Sequence, residues 1–195
     1  APAKEGKSFK GWSDGVDMWD FESDSVTGDL TLSAVWEGDS FTVIPAESGT
    51  GYEVSSNSGT SVPYGGSYAF IVTVSDHYNG EDMRVYANGI LLVPDVSGNV
   101  YTYTVENITA DTVIRVEGVK ADVYTVTYLV DGELYHSENV VYTEKAQKPM
   151  SPIKAGYTFD GWFIGNEAWD FETGVESNLE LEAMFTPLAY HVTVP

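Results

Sequence analysis

The sequence repeats itself at a distance of about 150 residues, and this feature constrains the fold more than any other. Residues 2–36 return at residues 152–185, first at an offset of 150 and, after a deletion of one residue, at 149. Identity of this extent indicates two copies of one structural unit. The fourteen identical pairs are Pro2/Pro152, Lys4/Lys154, Gly6/Gly156, Phe9/Phe159, Gly11/Gly161, Trp12/Trp162, Trp19/Trp169, Asp20/Asp170, Phe21/Phe171, Glu22/Glu172, Val26/Val175, Leu30/Leu179, Leu32/Leu181 and Ala34/Ala183.

A different segment separates the two copies, so the repeating unit contains two kinds of module. Nothing precedes Pro2 that corresponds to residues 124–151, whereas residues 190–195 resemble the start of the middle segment at Phe41. We therefore expect a piece of a longer tandem array, joined by short, semi-rigid connectors. The expected segments are a partial repeat at 1–36, a sandwich module at 41–119, a complete repeat at 124–186 and the start of a next sandwich module at 188–195.

The composition and the local patterns predict a mainly β protein. Val, Thr and Tyr are abundant, and alternating apolar and polar residues indicate strands with one wet face. Asn88-Gly89 and Asp131-Gly132 lie between such stretches and predict tight hairpin turns. One helical fragment is expected at 143–148, capped by Thr143 and ended by Pro149. The predicted strands are 40–44, 68–74, 100–105, 112–116, 124–130 and 179–183.

The charge and the absence of cysteine exclude several classes of function. The chain has 30 acidic against 9 basic residues and a net charge of −21, which opposes binding to nucleic acid or to an anionic membrane. Without cysteine there are no disulfides and no thiolate metal or redox sites. No apolar stretch approaches the ~20 residues of a membrane span. Ala1-Pro2-Ala3-Lys4 lacks the apolar core of a signal peptide, so we expect any export signal to lie outside this sequence.

The repeated segment resembles a known family. The matching motifs are Phe159-Asp160-Gly161-Trp162, then Trp169-Asp170-Phe171, then residues 179–185, preceded by Pro152 and Gly156-Tyr157. They look like the Listeria–Bacteroides repeat, which includes the internalin B-repeat, and residues 1–36 match in part. The resemblance implies a β-grasp-like fold arranged in tandem in exported bacterial surface proteins, often between a ligand-binding head and a wall anchor. Residues 41–119 are similar to the immunoglobulin-like β-sandwich modules that accompany such repeats.

Four tryptophans and an acidic run are the residues most suggestive of a binding site. Trp12, Trp19, Trp162 and Trp169 could stack on sugar rings, but small modules need large side chains to form a core, so we interpret them as core residues. The acidic run could bind calcium, which takes six to eight oxygens. Two of its members correspond to Ile164 and Gly174, so a solvated acidic face is favoured. The run comprises Asp14, Asp17, Asp20, Glu22 and Asp24.

No motif predicts catalysis. His77, His136 and His191 lie in no metal or triad signature, and the nucleophile and phosphate-binding motifs are absent. We therefore predict no enzyme activity, no catalytic, metal or cofactor-binding residues and no cofactor, while the ligand-binding residues stay unidentified. Residues 41–119 contain no lysine, which excludes a Lys–Asn isopeptide bond within them, and Asn107-Ile108-Thr109 is a sequon relevant only in a eukaryotic host.

These observations favour a stalk or spacer of a cell-surface protein attached to the bacterial cell wall, extracellular and with a role in adhesion. One alternative is an adhesin module that binds a glycan or a host protein, and another is an ancillary domain of a secreted polysaccharide-degrading enzyme. The partial repeat should leave unpaired strand edges. We therefore expect residues 1–36 to dock on the middle module, to pair with another molecule or to be poorly ordered.

Overall fold

The computed structural model describes residues 1–191, and the regular elements in this range are all β-strands, which confirms the mainly β prediction. The strands are β1 (Lys7–Ser13), β2 (Ser33–Gly38), β3 (Ser40–Ile44), β4 (Tyr52–Ser55), β5 (Ser61–Pro63), β6 (Gly66–Val74), β7 (Tyr78–Asn79), β8 (Arg84–Ala87), β9 (Ile90–Leu91), β10 (Asp95–Ser97), β11 (Val100–Ile108), β12 (Thr112–Glu117), β13 (Lys120–Ala121), β14 (Val123–Val130), β15 (Glu133–Val141), β16 (Tyr157–Ile164), β17 (Glu167–Ala168) and β18 (Leu179–Pro187).

The chain divides into two compact units. The first unit contains residues 1–75 and 80–119, and the second contains residues 76–79 together with the chain from Lys120 onward. The short segment 76–79 thus interrupts the first unit in sequence. It joins the second unit because β7 pairs antiparallel with β13.

The first unit contains a two-stranded ribbon and two larger sheets. The ribbon is β1 paired antiparallel with β2, and the sheets have the orders β10-β11-β6-β4 and β5-β3-β12-β8-β9. Alternate side chains of β6 are buried, and Phe70 on this strand stacks on Tyr103 of β11 with ring centroids 5.2 Å apart. The other sheet buries Val43, Val85 and Ile114. Each sheet therefore has one buried face, as the alternating sequence pattern predicted.

The second unit is built on a five-stranded mixed sheet of order β15-β14-β18-β16-β17. The central strand, β18, runs parallel to its neighbour β14, and the other neighbouring pairs are antiparallel. The buried core under this sheet consists of Val126, Tyr128, Val140, Ala146, Trp162, Val175, Leu181 and Ala183. The hairpin β14–β15 therefore supplies a large part of the core that β16 and β18 need.

The two predicted hairpin turns are confirmed. Asn88 and Gly89 have φ angles of 48° and 82° between β8 and β9. Asp131 and Gly132 have φ angles of 51° and 78° between β14 and β15. Both pairs adopt the positive φ values that a primed two-residue turn requires.

The predicted helical fragment at 143–148 is wrong. Thr143 has a φ of 66°, which a residue that begins an α-helix does not adopt. The backbone groups pair with a distant segment instead, since the Thr143 N–H donates to the Val175 carbonyl (2.8 Å) and the Val175 N–H donates to the Glu144 carbonyl (2.9 Å). Part of the next module predicted at 188–195 falls on residues 192–195, which lie outside the described residues.

Candidate functional site

The strongest structural signature of the repeat is a β-bulge that occurs in both copies. In the complete copy, Phe159 lies opposite Phe185, and the register then shifts before Gly161 pairs with Met184. In the first copy, Phe9 lies opposite Trp36, and the same shift precedes Gly11. Gly161 and Gly11 have φ angles of 146° and 151°, a region that glycine adopts far more readily than other residues. The Phe-x-Gly-Trp motif is therefore the sequence of a bulge.

The turn that follows the bulge is also the same in the two copies. The Trp169 N–H donates to the Trp162 carbonyl at 2.8 Å, and the Trp19 N–H donates to the Trp12 carbonyl at 2.7 Å. The next residue, Asp170 or Asp20, accepts the backbone N–H two residues later, at 2.9 Å in each copy. Aspartate is favoured here because its side chain closes such a turn.

An aromatic trio packs beside the bulge in each copy. In the complete copy, the Phe159 ring lies edge-on to Trp162 and Phe185, with centroids 5.5 and 5.7 Å apart. In the first copy, Phe9 meets Trp12 and Trp36 in the same way, at 5.6 Å for both pairs. Each edge-to-face pair contributes about 1 kcal/mol beyond area burial. The three rings come from β1 and β2 in the first copy and from β16 and β18 in the complete copy. The trio therefore does not require the hairpin β14–β15.

Burial distinguishes the copies. Val175 is 0% exposed in the complete copy, whereas its counterpart Val26 is 67% exposed. Trp162 is 2% exposed, whereas Trp12 is only half-buried. The cause is the hairpin β14–β15, which covers the complete copy and has no counterpart in the described part of the first copy.

The four tryptophans occupy interior or partly interior positions. Trp162 belongs to the core of the second unit, and Trp169 packs against it. Trp12 and Trp19 are half-buried. The indole Nε1 atoms of Trp162 and Trp169 are buried without a hydrogen-bond partner, a cost of about 1–3 kcal/mol each that the packing must offset. All four side chains are at least partly buried, which fits core positions better than sugar-stacking positions.

The acidic run stabilises turns. Asp14 accepts the backbone N–H groups of Val16 (2.9 Å) and Asp17 (3.0 Å), and these bonds lower the pKa of its carboxyl. Asp20 accepts Glu22 N–H and the Ser23 hydroxyl, which lowers its pKa in the same way. Among residues 1–191, no group of three or more His, Asp or Glu side chains is arranged to hold a metal ion.

Of the histidines, His77 has the most organised surroundings. Its ring stacks on Tyr142, with centroids 4.4 Å apart, and its Nδ1 lies 2.8 Å from the Tyr124 hydroxyl. His77 itself has a φ of 65°. His136 is exposed beside Tyr128, and His191 is exposed. Sequence reasoning missed the His77 cluster, because residues 76–79 lie within the middle segment in sequence yet belong to the second unit.

Several shallow depressions lie on the middle segment, one of them bordered by Tyr86 and another bordered by Ile90 of β9. The depression beside Ile90 has a volume of about 310 Å³. Its apolar lining comes from Ala87, Ile90, Leu92 and Ile108, and it contains no aromatic ring. This lining suits an apolar contact better than a sugar ring.

The comparison with protein families decides the identity of the repeated segments. The model of the Listeria-Bacteroides repeat domain matches residues 1–35 and 124–184. Both segments are Listeria–Bacteroides repeats. The two matched ranges carry the bulge, the turn and two of the three rings of each trio, and each range ends one residue before the third ring, Trp36 or Phe185. The immunoglobulin-like assignment of the middle segment stays a proposal.

The chain spans less than a third of the length of each of three relatives that it resembles. It is 31% identical over 98% of its length to a "Putative membrane protein" of Evansella cellulosilytica, of which it spans 28%. It is 28% identical to a "Putative Gly-rich membrane protein" of the same organism, over 88% of the chain and 19% of that protein. It is 32% identical over 46% of its length to Internalin H of Listeria monocytogenes, of which it spans 17%. Within residues 1–191, no helix is both long and apolar enough to cross a bilayer.

Proposed function

We propose that the chain is a non-enzymatic spacer segment of a bacterial cell-surface protein, extracellular and attached to the cell through regions outside this sequence. The observation that carries the proposal is the recurrence of one repeat geometry twice in one chain, with a second kind of module between the copies. The similarity to Internalin H and to two proteins named as membrane proteins supports a surface location.

The connection between the first copy and the middle segment supports a stiff spacer. β2 ends at Gly38 and β3 begins at Ser40, so a single residue, Asp39, joins them. The Asp39 N–H donates to the Gly6 carbonyl, and the Tyr64 N–H donates to the Asp39 carbonyl, both at 2.9 Å. Hydrogen bonds on both sides of the joint restrict its backbone far more than a flexible linker would.

Tyr64 strengthens the same joint with its side chain. Its hydroxyl donates to Glu5 Oε1 at 2.5 Å, and this bond raises the pKa of Tyr64. Its ring lies so close to Gly6 that a Cβ at that position would meet the ring at 2.5 Å. Because Gly6 also has a φ of 65°, a side chain is disfavoured there on two grounds.

The charge supports the same role. A net charge of −21 makes neighbouring copies of the segment repel each other, which opposes collapse and self-association. This repulsion is screened beyond a Debye length of about 8 Å at physiological salt. It therefore acts mainly between adjacent modules.

Small-angle scattering of tandem arrays tests the spacer. Proteins with one and four copies of the 150-residue unit should differ in radius of gyration almost in proportion to length. A compact arrangement would increase the radius only about 1.7-fold on quadrupling the chain. Growth near that lower figure would contradict the proposal. The same measurement at high salt separates stiffness of the joints from charge repulsion.

One observation favours a second candidate, an adhesin module that binds a host protein or a glycan. Residues at the edges of the two larger sheets of the first unit expose apolar side chains: Ile90 (70%), Leu91 (50%), Val93 (87%) and Val96 (57%). Exposed apolar patches mark interaction sites when they are contiguous. These four side chains, the candidate patch, lie within residues 90–96 and include no aromatic ring, so they suit a protein surface better than a sugar.

Binding arrays test the adhesin. The full chain should bind an immobilised host protein, and the variant Val93→Asp should lose that binding. Val113→Asp is the matched control, because Val113 is also exposed (38%) but lies on β12 rather than at the patch. Equal binding by both variants, or no binding by the parent chain to protein or glycan arrays, would remove this candidate.

A further inference from the structure

The first copy has an apolar face that the second copy covers with its own hairpin. We propose that this open face, formed by Trp12, Phe21, Val26, Leu30 and Leu32, binds a β-hairpin of the Val123–Val141 type, whose first strand pairs in parallel with residues 30–33. The inference concerns the architecture of the repeat and does not depend on the spacer role.

The complete copy shows what covers such a face. The first strand of the hairpin, β14, pairs in parallel with β18, so that Val126 lies opposite Leu179 and Tyr128 lies opposite Leu181. The Tyr128 ring meets Trp162 edge-on at 5.0 Å and stacks on Phe171 at 6.5 Å. Val126, Tyr128 and Leu181 are all 0% exposed as a result.

The open face carries the same residues at the same places. Trp12, Phe21, Val26, Leu30 and Leu32 are identical in type to the covered Trp162, Phe171, Val175, Leu179 and Leu181. Phe21 is 68% exposed and Leu30 is 38% exposed, although their counterparts are partly buried against the core. Residues 1–36 thus carry the side chains that receive the hairpin in the complete copy, without a hairpin among these residues.

The backbone of the first copy is also incomplete at this face. β18 begins at Leu179, whereas β2 begins at Ser33, three residues after the counterpart of Leu179. Residues 30–32 therefore lack the strand conformation that their counterparts acquire beside β14. β2 has β1 on one side and no strand on the other among the described residues, and a free strand edge accepts another strand.

Most polar contacts of the hairpin have counterparts in the first copy. In the complete copy, Asn178 Oδ1 accepts the Thr125 N–H at 2.8 Å, and the corresponding residue, Asp29, offers the same kind of acceptor. Glu172 pairs with Lys145 at 2.5 Å, and the first copy has the same residue type, Glu22, at the position of Glu172.

At the turn of the hairpin, one polar contact is kept and one is lost. Lys154 pairs with Asp131 at 2.6 Å, and Lys4 occupies the position of Lys154 in the first copy. Glu182 accepts the Gly132 N–H at 3.1 Å, but Ser33 replaces Glu182. The first copy therefore retains a suitable side chain at three of the four positions that make these polar contacts with the hairpin.

A chain extended by one hairpin tests the proposal. We would join a second copy of residues 120–150 directly ahead of Ala1, since Ser151 corresponds to Ala1 in the repeat. Hydrogen exchange of the peptide covering residues 30–33 should slow by about tenfold or more relative to the parent chain, because those amides enter a sheet. Light scattering should show that the extended chain is monomeric.

Two matched variants make the result decisive. Val126→Asp and Tyr128→Asp, made together in the added hairpin only, should restore fast exchange at residues 30–33. Leu32→Asp in the extended chain should do the same while leaving residues 179–181 protected, which shows that the second unit still folds. Unchanged exchange in the extended chain, or equal protection with the doubly substituted hairpin, would overturn the proposal. Neither result would alter the scattering of tandem arrays, so failure here is distinguishable from failure of the spacer proposal.

Discussion

The two copies of the repeat share their local geometry and differ in their core. The bulge, the turn and the aromatic trio recur in both copies, and the corresponding distances agree within about 0.1 Å. Val175 is nevertheless fully buried, whereas Val26 is 67% exposed. The motifs that dominate the sequence similarity therefore encode the path of β1–β2 and β16–β18. The core, by contrast, requires a hairpin that lies elsewhere in the sequence.

The strand at residues 179–181 makes the same point for the backbone. Its counterpart at 30–32 has the same two leucines but is not a strand. Intrinsic preference would favour a strand in the first copy, because Thr31 stands where the complete copy has Glu180, so the parallel partner β14 accounts for the difference. This agrees with the general observation that β structure depends strongly on neighbouring strands.

Replacing the equivalent tryptophans by alanine should give the largest contrast. Trp162→Ala should destabilise the second unit by about 3–5 kcal/mol, because it removes a buried side chain from the centre of a small core. Trp12→Ala should cost the first unit about 1–2 kcal/mol, because Trp12 is half-buried and loses less transfer free energy. Urea unfolding, followed by hydrogen exchange in each unit, measures both. Equal losses would show that the open face is covered.

Replacing the bulge glycines should have similar effects, since the Met18 methyl group that an added Cβ at Gly11 would meet is the end of a flexible, exposed side chain. Gly161→Ala and Gly11→Ala force a side chain into φ angles of 146° and 151°, at a cost of about 1–3 kcal/mol in each unit. The bulge depends on two strands that both copies contain, so the missing hairpin should not matter. A loss confined to one copy would disprove the equivalence of the bulges. Gly132→Ala is a useful third variant, because Gly132 has a positive φ with open space around it, so the variant measures the backbone cost without a steric contact.

The alkaline stability of the second unit should depend on Tyr128, which has no counterpart in the first copy. Burial, and then its hydrogen bond to Glu138 Oε1 (2.8 Å), raise the pKa of the Tyr128 hydroxyl. The folded state therefore favours the neutral phenol. Its contribution is complete below the unfolded pKa of about 10 and is lost as pH rises above that value.

The variant Tyr128→Phe checks this assignment. This variant should lose about 1–2 kcal/mol of stability at neutral pH, because Glu138 and the Gln147 carbonyl lose a hydrogen-bond donor. The free energy of unfolding of the second unit should then fall less steeply above about pH 10 than in the parent chain. The free energy of unfolding of the first unit should still fall as the pH rises above about 10, because burial raises the pKa of Tyr103 to about 12. An unchanged alkaline profile of the second unit would count against Tyr128 as its cause.

The smallest effect is expected for the exposed pair Lys145–Glu172. Both side chains are mostly exposed, so Lys145→Gln should change the free energy of unfolding less than any of the substitutions above. The pair raises the pKa of Lys145 through the hydrogen bond to Glu172, but this does not imply a large stabilisation at an exposed site. Urea unfolding at low and high salt measures the effect, and a loss as large as that of Tyr128→Phe would indicate that the pair orders the 143–148 segment.

Much of the fold was predictable because it is encoded locally. The Asn88-Gly89 and Asp131-Gly132 turns follow from the φ angles they need, and the alternating segments became strands. The bulges could have been predicted as well, since a glycine inside a strand pattern, as in Phe159-Asp160-Gly161-Trp162, is a known signal. The acidic run could have been read as turn caps from the identity of Asp20 and Asp170.

Other features could not be predicted, because they depend on distant residues. The segment 143–148 has a capping residue and a terminating proline, yet its backbone pairs with residues 174–175 and forms no helix. The pairing of β7 with β13 involves two residues on each strand, too few to leave a periodic pattern. The repeat pattern alone does not distinguish the buried Val175 from the exposed Val26, because the two copies have valine at equivalent positions.

Hydrogen exchange of the parent chain tests the central claim most directly, since it compares equivalent peptides in one molecule under one condition. We predict that the peptide covering residues 179–181 exchanges about a hundredfold more slowly than the peptide covering residues 30–32, because only the former lies between two strands. The bulge peptides at residues 9–12 and 159–162 should differ much less. Equal protection of residues 30–32 and 179–181 would contradict the account.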